Sequence, residues 1–340
     1  MLNNKPLISI CIPTYHRAKY LQEAIDSALN QTYSNYEIIV VSDGFDKETD
    51  DLIYGYSNTK IKYFKKTRTN SPDTRNRYIK ESKGEYILWL DDDDLLDENI
   101  LSVYVSYLEI YKDVKILYCQ LLAFDDKIGV IDKYNYNDWY NRKDELAAFL
   151  FVGQPIPNPG TLIHKEIFNE VGLFNTEFSR AHDYEFYSRV FIKKKFNVKF
   201  IAQALVKYRI HDKNITFKLS GDLNTIYEAR ILRKLLNENK LDTFFPELGK
   251  VENYNLKLSE VMFFIGLKFF AYGSYSDSIF FFTSSFKIES NLSRLSITIQ
   301  NFVNRGLIKE LKILLFLVKE FFLEDNIKEI VDIINNFKED

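Results

Sequence analysis

Asp91, Asp92, Asp93 and Asp94 follow one another directly behind the apolar run Tyr86-Ile-Leu-Trp-Leu90. Carboxylates crowded at the end of a buried strand repel one another, and removing them from water is costly. A divalent cation relieves both penalties, and hard oxygen donors in the spacing Asp-x-Asp suit Mg²⁺ or Mn²⁺. The alternative is a solvated acidic turn that opens the next helix, because Asp favours N-caps and first turns. One Asp would fit that alternative well. The unbroken run behind a core strand weighs toward a cation site.

Asp43 closes a second apolar run, Glu37-Ile-Ile-Val-Val-Ser42, and Pro13-Thr14-Tyr15 closes a first. Parallel strands deliver their carboxyl ends to one rim, where ligands of open α/β sheets bind, so these residues should meet the acidic cluster there. Together they would offer an aromatic face for stacking, a carboxylate able to accept from a base or ribose, and a metal centre able to hold phosphates. Arg75 and Arg77 precede the acidic strand on a helix and could donate to a diphosphate or base. Each alone reads equally well as a surface arginine. Neither G-x-G-x-x-G nor G-x-x-x-x-G-K-[S/T] occurs, so phosphate would be neutralised by metal and arginine instead of a glycine loop.

The frame that must hold these residues is legible as alternating patterns. Residues 8–13, 37–42, 61–64 and 86–90 read as strands, and 18–31, 46–56, 72–82 and 97–111 as helices. Near-continuous Ile, Val and Leu in the strands predict a parallel sheet covered on both faces. Extended segments with polar turns occupy 115–134, and Pro155, Pro157 and Pro159 make 154–160 a loop. A helix over 183–194 and a closing strand or hairpin over 198–211 follow. Beyond residue 219 the pattern is helical throughout, which places a boundary near 215–220. Within the tail, Tyr272 to Ile279 followed by Phe282 and Phe286 has the spacing of a tetratricopeptide-like hairpin. A single match reads equally as an unrelated helical bundle.

The chain has 340 residues, long enough for two domains, and is 46% hydrophobic and 27% charged, as expected of a globular protein with a sizeable core. A net charge of −3 gives no basis for broad electrostatic binding to nucleic acid. Cys11 and Cys119 sit in apolar runs without metal-ligand spacing, which reads as reduced core thiols in a cytoplasmic protein. The N-terminus has no signal-peptide pattern, and no stretch of 18 uninterrupted apolar residues predicts a membrane span. The nearest approach, 311–323, is broken by Lys312, Lys319 and Glu320 and reads as an amphipathic core helix.

The segments Leu7-Ile-Ser-Ile-Cys-Ile-Pro-Thr-Tyr-His-Arg17, Glu37 to Gly44 and Tyr86 to Asp94 resemble, in order and spacing, the signatures of family 2 glycosyltransferases with the GT-A fold. The resemblance covers about residues 6–211. It implies an α/β, GT-A-like nucleotide-binding domain over 1–215 with a mostly parallel central sheet, followed by an all-α C-terminal domain over 216–340. Within the first domain, about 1–112 would hold the nucleotide-sugar and about 113–215 the acceptor. It also implies a UDP-sugar donor, Mn²⁺ or Mg²⁺, and inversion at the anomeric carbon.

Carried over by position, Pro13, Thr14, Tyr15, Arg17, Asp43, Arg75, Asp91 and Asp92 would bind the nucleotide, and Asp93 would ligate the metal. The register of Asp-x-Asp within Asp91–Asp94 stays open by one residue. In Ala181-His-Asp-Tyr-Glu-Phe186, Asp183 would be the general base and His182 would face the acceptor. By itself Asp183 reads as a helix N-cap. His211 falls where some relatives contact metal or diphosphate, and reads equally as a strand-end histidine. The sequence departs from the family with His16 for Asn, Ser42 for Asp and His182 for Glu. The acceptor would be a glycan, lipid-linked glycan or glycoprotein of bacterial surface chemistry. The tail would dock acceptor, pair subunits into a homo-oligomer or rest peripherally on the inner face of the membrane. Rival readings are a nucleotidyltransferase, which would release pyrophosphate, and a non-catalytic nucleotide-sugar-binding or scaffold protein.

Overall fold

Strand and helix alternate from the first described residues, each taking the form its hydrophobic period dictates. The computed structural model describes residues 5–211 and 221–318. The chain divides into two compact units, Met1–Gly221 and Asp222–Asp340.

The first unit opens with β1 (Ile8–Thr14), α1 (Ala18–Leu29), β2 (Tyr36–Asp43), α2 (Lys47–Gly55), β3 (Ile61–Lys66), α3 (Ser71–Glu81) and β4 (Tyr86–Trp89). β5 (Leu95–Leu96), α4 (Ile100–Ile110), β6 (Val114–Asp125), β7 (Gly129–Lys133) and α5 (Leu146–Phe149) follow. β8 (Leu162–His164), α6 (Glu166–Val171), α7 (His182–Ile192) and β9 (Asn197–Arg209) complete it. In α1 the buried residues are Leu21, Ala24, Ile25 and Ala28, the spacing of one helical face. Asn70 caps α3 by accepting from the Asp73 N–H, and Pro72 sits in the first turn, where its missing N–H costs nothing.

The sheet runs β3-β2-β1-β4-β8-β6-β9-β5, with β7 paired to β6 off this path. β3, β2, β1 and β4 are mutually parallel, so their carboxyl ends share one rim. Thr14 pairs with Ser42, and Cys11 with Trp89, which brings Tyr15, Asp43 and Asp91 to that rim. β8 joins β4 and β6 antiparallel, and β9 lies parallel to β6. β5 pairs antiparallel with β9, Leu95 opposite Lys207. Continuing that register puts Asp93 opposite Arg209. The helix expected over 97–111 starts later, at Ile100, because Leu95 and Leu96 are taken into the sheet.

The second unit contains α8 (Gly221–Glu238), α9 (Leu241–Phe244), α10 (Tyr254–Ala271), α11 (Tyr275–Ile288), α12 (Leu292–Asn304) and α13 (Ile308–Val318). Phe263, Phe270, Phe282, Phe286, Leu295, Phe302 and Leu311 form its core. The aromatics of the tail are therefore largely packing groups, while Phe280 and Phe316 stay exposed. Lys319 and Glu320 of the 311–323 stretch lie outside the described residues. Among the described residues no helix is long and apolar enough to cross a membrane.

α10 and α11 are joined by a tight turn with Gly273 at φ +73°, a conformation glycine adopts without steric cost. Their packing depends on Gly266, where an added Cβ would stand 2.7 Å from the Phe282 ring. Gly266→Ala therefore forces the two helices apart or the ring out of its rotamer. It is expected to destabilise the chain by about 1–3 kcal/mol. An unchanged thermal midpoint would show that the helices tolerate the methyl group.

Candidate active site

The β2 end of the rim presents Asp43 paired in register with Lys66 of β3. Lys66 contacts the Asp43 carboxylate through Nζ, and the Thr69 N–H donates to it at 2.9 Å. Beside it Gly44 has φ +147°, and a Cβ there would meet the Tyr15 ring at 3.3 Å. The ring lies flat enough on the rim for the Arg68 guanidinium to sit 4.2 Å from its centre. Thr14 is buried and Pro13 half-buried, so of the β1 end Tyr15 is the side chain most open to a ligand.

The acidic turn is gripped by arginines from distant parts of the chain. Arg17 donates through Nη1 to Asp92 Oδ1 at 3.0 Å and to Asp93 Oδ2 at 2.6 Å. Arg209, fully buried, donates its Nε to the Asp93 carbonyl at 2.8 Å and its backbone N–H to Asp94 Oδ1 at 2.9 Å. Its guanidinium also reaches Asp126 and Glu23, and packs over Tyr20 and Phe124. His211 Nε2 lies 3.1 Å from Asp93 Oδ2 and its ring stacks on Tyr20 at 5.0 Å.

The negative charge of this turn exceeds what those cations balance. Burial, the nearby Asp93 and the other carboxylates push Asp94 well above the usual carboxylate range. Asp92 rises to about 7, chiefly through burial, against the pull of Arg17. Asp94 Oδ2 is buried with no hydrogen-bond partner. Among the described residues no three His, Cys, Asp or Glu side chains are grouped to hold a metal by themselves. The Asp93–His211 pair nevertheless supplies an oxygen and a nitrogen donor at one point. That set, in an over-acidic turn, fits a divalent cation whose remaining positions are filled by substrate oxygens and water.

Across the rim, α7 begins at His182 after Ala181, which holds φ +51° with no side-chain capping bond. Asp183 is therefore in the first helical turn and not the N-cap that its type suggests; its Oδ1 accepts from the Tyr184 N–H at 2.9 Å. Arg75 joins this helix to the acidic turn. It donates through Nε to His182 Nε2 at 3.1 Å, through Nη1 to Tyr78 Oη at 3.0 Å, and through Nη2 to Asp91 Oδ1 at 3.0 Å. With the Asn158 amide turned oxygen-first, it also accepts from Nη1 at 3.0 Å and Nη2 at 2.9 Å. Asp91 is raised by burial and, against Arg75, by the charges of both Asp93 and Asp183.

Because guanidinium only donates, His182 Nε2 must accept and its proton resides on Nδ1, an assignment from the hydrogen-bond network. Burial lowers the His182 pKa to about 4, with Asp183 opposing and Arg75 assisting. Arg77, by contrast, pairs with Glu81 at 2.8 Å on the α3 surface, the ordinary reading of that residue. Arg209, Lys66 and Asn158 carried no signal in the sequence; each acts through a partner from another strand or loop.

The sheet is mixed, parallel from β3 to β4 and largely antiparallel beyond, where a mostly parallel one was expected. It carries an acidic turn at its rim, and solved structures share the fold. Staphylococcus aureus TarS 1–349 in complex with UDP-GlcNAc superposes with TM-score 0.54 at 16% identity, covering 83% of this chain and 90% of that one. The mannosyltransferase PcManGT of Pyrobaculum calidifontis, in complex with GDP-Man and Mn²⁺, gives TM-score 0.54 at 13% identity, covering 95% and 88%. The fold is GT-A. The family model for glycosyl transferase family 2 matches residues 9–196, and this chain belongs to that family as a glycosyltransferase. An uncharacterized glycosyltransferase of Rickettsia typhi is 33% identical over 273 residues, 75% of this chain and 84% of the relative. Glycosyltransferase GlyG of Streptococcus pneumoniae is 27% identical over 217 residues, 60% and 70% of the two chains.

The depressed His182 pKa has a consequence for stability. The unfolded chain binds a proton near the ordinary histidine value of about 6.5, the native state only near 4, so stability falls as pH drops through that window. His182→Gln should abolish about 1–3 kcal/mol of this acid-side slope. Urea midpoints taken between those two pH values decide it; an identical slope in the variant refutes the assignment.

Proposed function

We propose that the protein is a metal-dependent, inverting glycosyltransferase that moves a sugar from a UDP-sugar to an acceptor hydroxyl. The observation that carries this reading is the Arg75 bridge, which bonds Asp91 of the acidic turn at 3.0 Å and His182, the neighbour of Asp183, at 3.1 Å. In this reading the bridge would link a metal-side carboxylate turn to a base-side carboxylate. UDP-GlcNAc bound to TarS and GDP-Man with Mn²⁺ bound to PcManGT support a nucleotide-sugar and a divalent ion.

In this reading the nucleobase stacks on Tyr15, beside Pro13 and Thr14, and Asp43 accepts from it. Arg17, Asp91 and Asp92 line the nucleotide's path. Asp93 and His211 would hold Mn²⁺ or Mg²⁺, which when bound neutralises charge growing on the departing diphosphate. Asp183 takes the acceptor proton as the hydroxyl attacks the anomeric carbon from the face opposite the diphosphate. His182 Nδ1–H, buried without a partner, is the donor left to orient an acceptor group.

The acceptor is read as a glycan, lipid-linked glycan or glycoprotein, made on the cytoplasmic side of a bacterial membrane. The buried free thiols of Cys11 and Cys119 agree with a reducing compartment. We assign catalysis to residues 1–215 and acceptor docking or subunit pairing to the residues from 216 onward.

Turnover of a nucleotide-sugar panel with and without Mn²⁺ tests the reading, with free UDP as the product measured. Asp93→Ala and Asp183→Asn should each reduce transfer by about 10²–10⁴-fold. Near-normal transfer in both variants, with metal still required, would reject these roles. Pyrophosphate in place of UDP would reject the reaction class.

A further inference from the structure

The contacts of Arg75 set it apart from a simple donor ligand. A guanidinium has five N–H groups. Here Nε goes to His182, Nη1 to Tyr78 and Asn158, and Nη2 to Asp91 and Asn158, so each has a protein partner. The side chain is buried, wedged between Trp89 and Phe174, with its Cζ 6.0 and 5.8 Å from those ring centres. To bind a phosphate it would have to surrender a bond already made. What it does span is the gap between the acidic turn and the start of α7.

The start of α7 needs such an anchor. Ala181 occupies left-handed backbone, which costs a non-glycine residue about 1–3 kcal/mol unless its surroundings hold it. No side chain caps the helix there. The restraints on His182 are the Arg75 bond, the Ser71 hydroxyl 3.3 Å from the same Nε2, and edge contact with Phe174 at 5.8 Å. Asp183 is the next residue along, so its backbone position at the helix start follows that of His182, while its Oδ1 accepts from the Tyr184 N–H.

We propose that Arg75 and His182 form a strut that positions Asp183 against Asp91, and that Arg75 acts on the reaction through this strut and not as a ligand of the donor. The inference rests on the reading of Asp183 as the base. The imidazole is suited to the role because it accepts from Arg75 without adding a third negative charge beside Asp91 and Asp183. The groups facing it are Arg75 and Ser71 from α3, Phe174 from the preceding loop and Asp183 on its own helix; Asp91 lies beyond Arg75.

The test is a double-variant cycle on the full chain using His182→Leu, Arg75→Lys and both together, with His182→Gln as the conservative control. Two readouts are taken: hydrogen exchange of the amides at 182–186, and kcat against KM for UDP-GlcNAc with Mn²⁺. His182→Leu and Arg75→Lys should each raise exchange there and lower kcat by at least about tenfold, while KM stays within about twofold. The combined variant should be no worse than the worse single one, since both break the same link. Gln at 182, whose amide oxygen can take the Arg75 bond, should recover most of both losses.

Additive losses, or a rise in KM with kcat retained, would overturn the strut and make Arg75 a donor ligand. Should Leu at 182 not fold, Arg75→Lys read against His182→Gln makes the same decision. If the wild type transfers no sugar from any donor, the proposed function fails, while the exchange cycle still decides the strut.

Discussion

Surplus negative charge at one sheet rim is the constraint around which the first unit is built. Two carboxylates about 4 Å apart repel by about 4 kcal/mol at the effective dielectric of a protein surface, and by more when buried. Asp92, Asp93 and Asp94 are all buried in one turn. The chain answers with Arg17 from the loop after β1, Arg75 from α3 and Arg209 from the end of β9. Each arginine takes a different part of the turn: Arg17 the carboxylates of Asp92 and Asp93, Arg75 that of Asp91, Arg209 the main chain and Asp94. Their geometries leave Asp94 Oδ2 unpaired and Asp92 raised, so the balance is incomplete by design of the contacts.

Topology explains how residues more than a hundred positions apart meet. The parallel set β3-β2-β1-β4 brings the tips of the early strands together, which accounts for Tyr15, Asp43 and Asp91. The antiparallel pairing of β5 with β9 accounts for Arg209 and His211, because Leu95 opposite Lys207 fixes what stands beneath Asp93. A slip of one residue in that register would turn Arg209 to the other face of the sheet. The short β5 thus sets what stands beneath the acidic turn, despite contributing little to the core.

This division also explains what could be read from residue types alone. The apolar runs at 8–14, 36–43 and 86–90 are local patterns that became β1, β2 and β4, with Asp91–Asp94 at the tip of the last. β5 and β8 are too short for periodicity to register, and Arg209 looks like any polar residue in an alternating strand. The bond from Arg75 to His182 joins positions 107 apart, so nothing near either residue announces it. Asp183 was legible as a polar residue at a helix start, yet its register within the first turn depended on the left-handed Ala181 before it. Local chemistry was readable; long-range pairing was not.

The histidine at 182 shows why the pairing matters. The family resemblance expects a carboxylate there, and a carboxylate would also accept from Arg75. It would, however, add charge to a buried space where Asp91 is already pushed up by Asp93 and Asp183. A neutral imidazole keeps the bond and omits the charge, at the expense of an unpartnered Nδ1–H. Leaving a buried donor unpaired costs about 1–3 kcal/mol. That cost is smaller than the buried like-charge repulsion avoided, so the exchange favours the neutral ring. Its effect falls on the site: Arg75 stays paired with Asp91, and no further anion stands beside the carboxylate proposed as base.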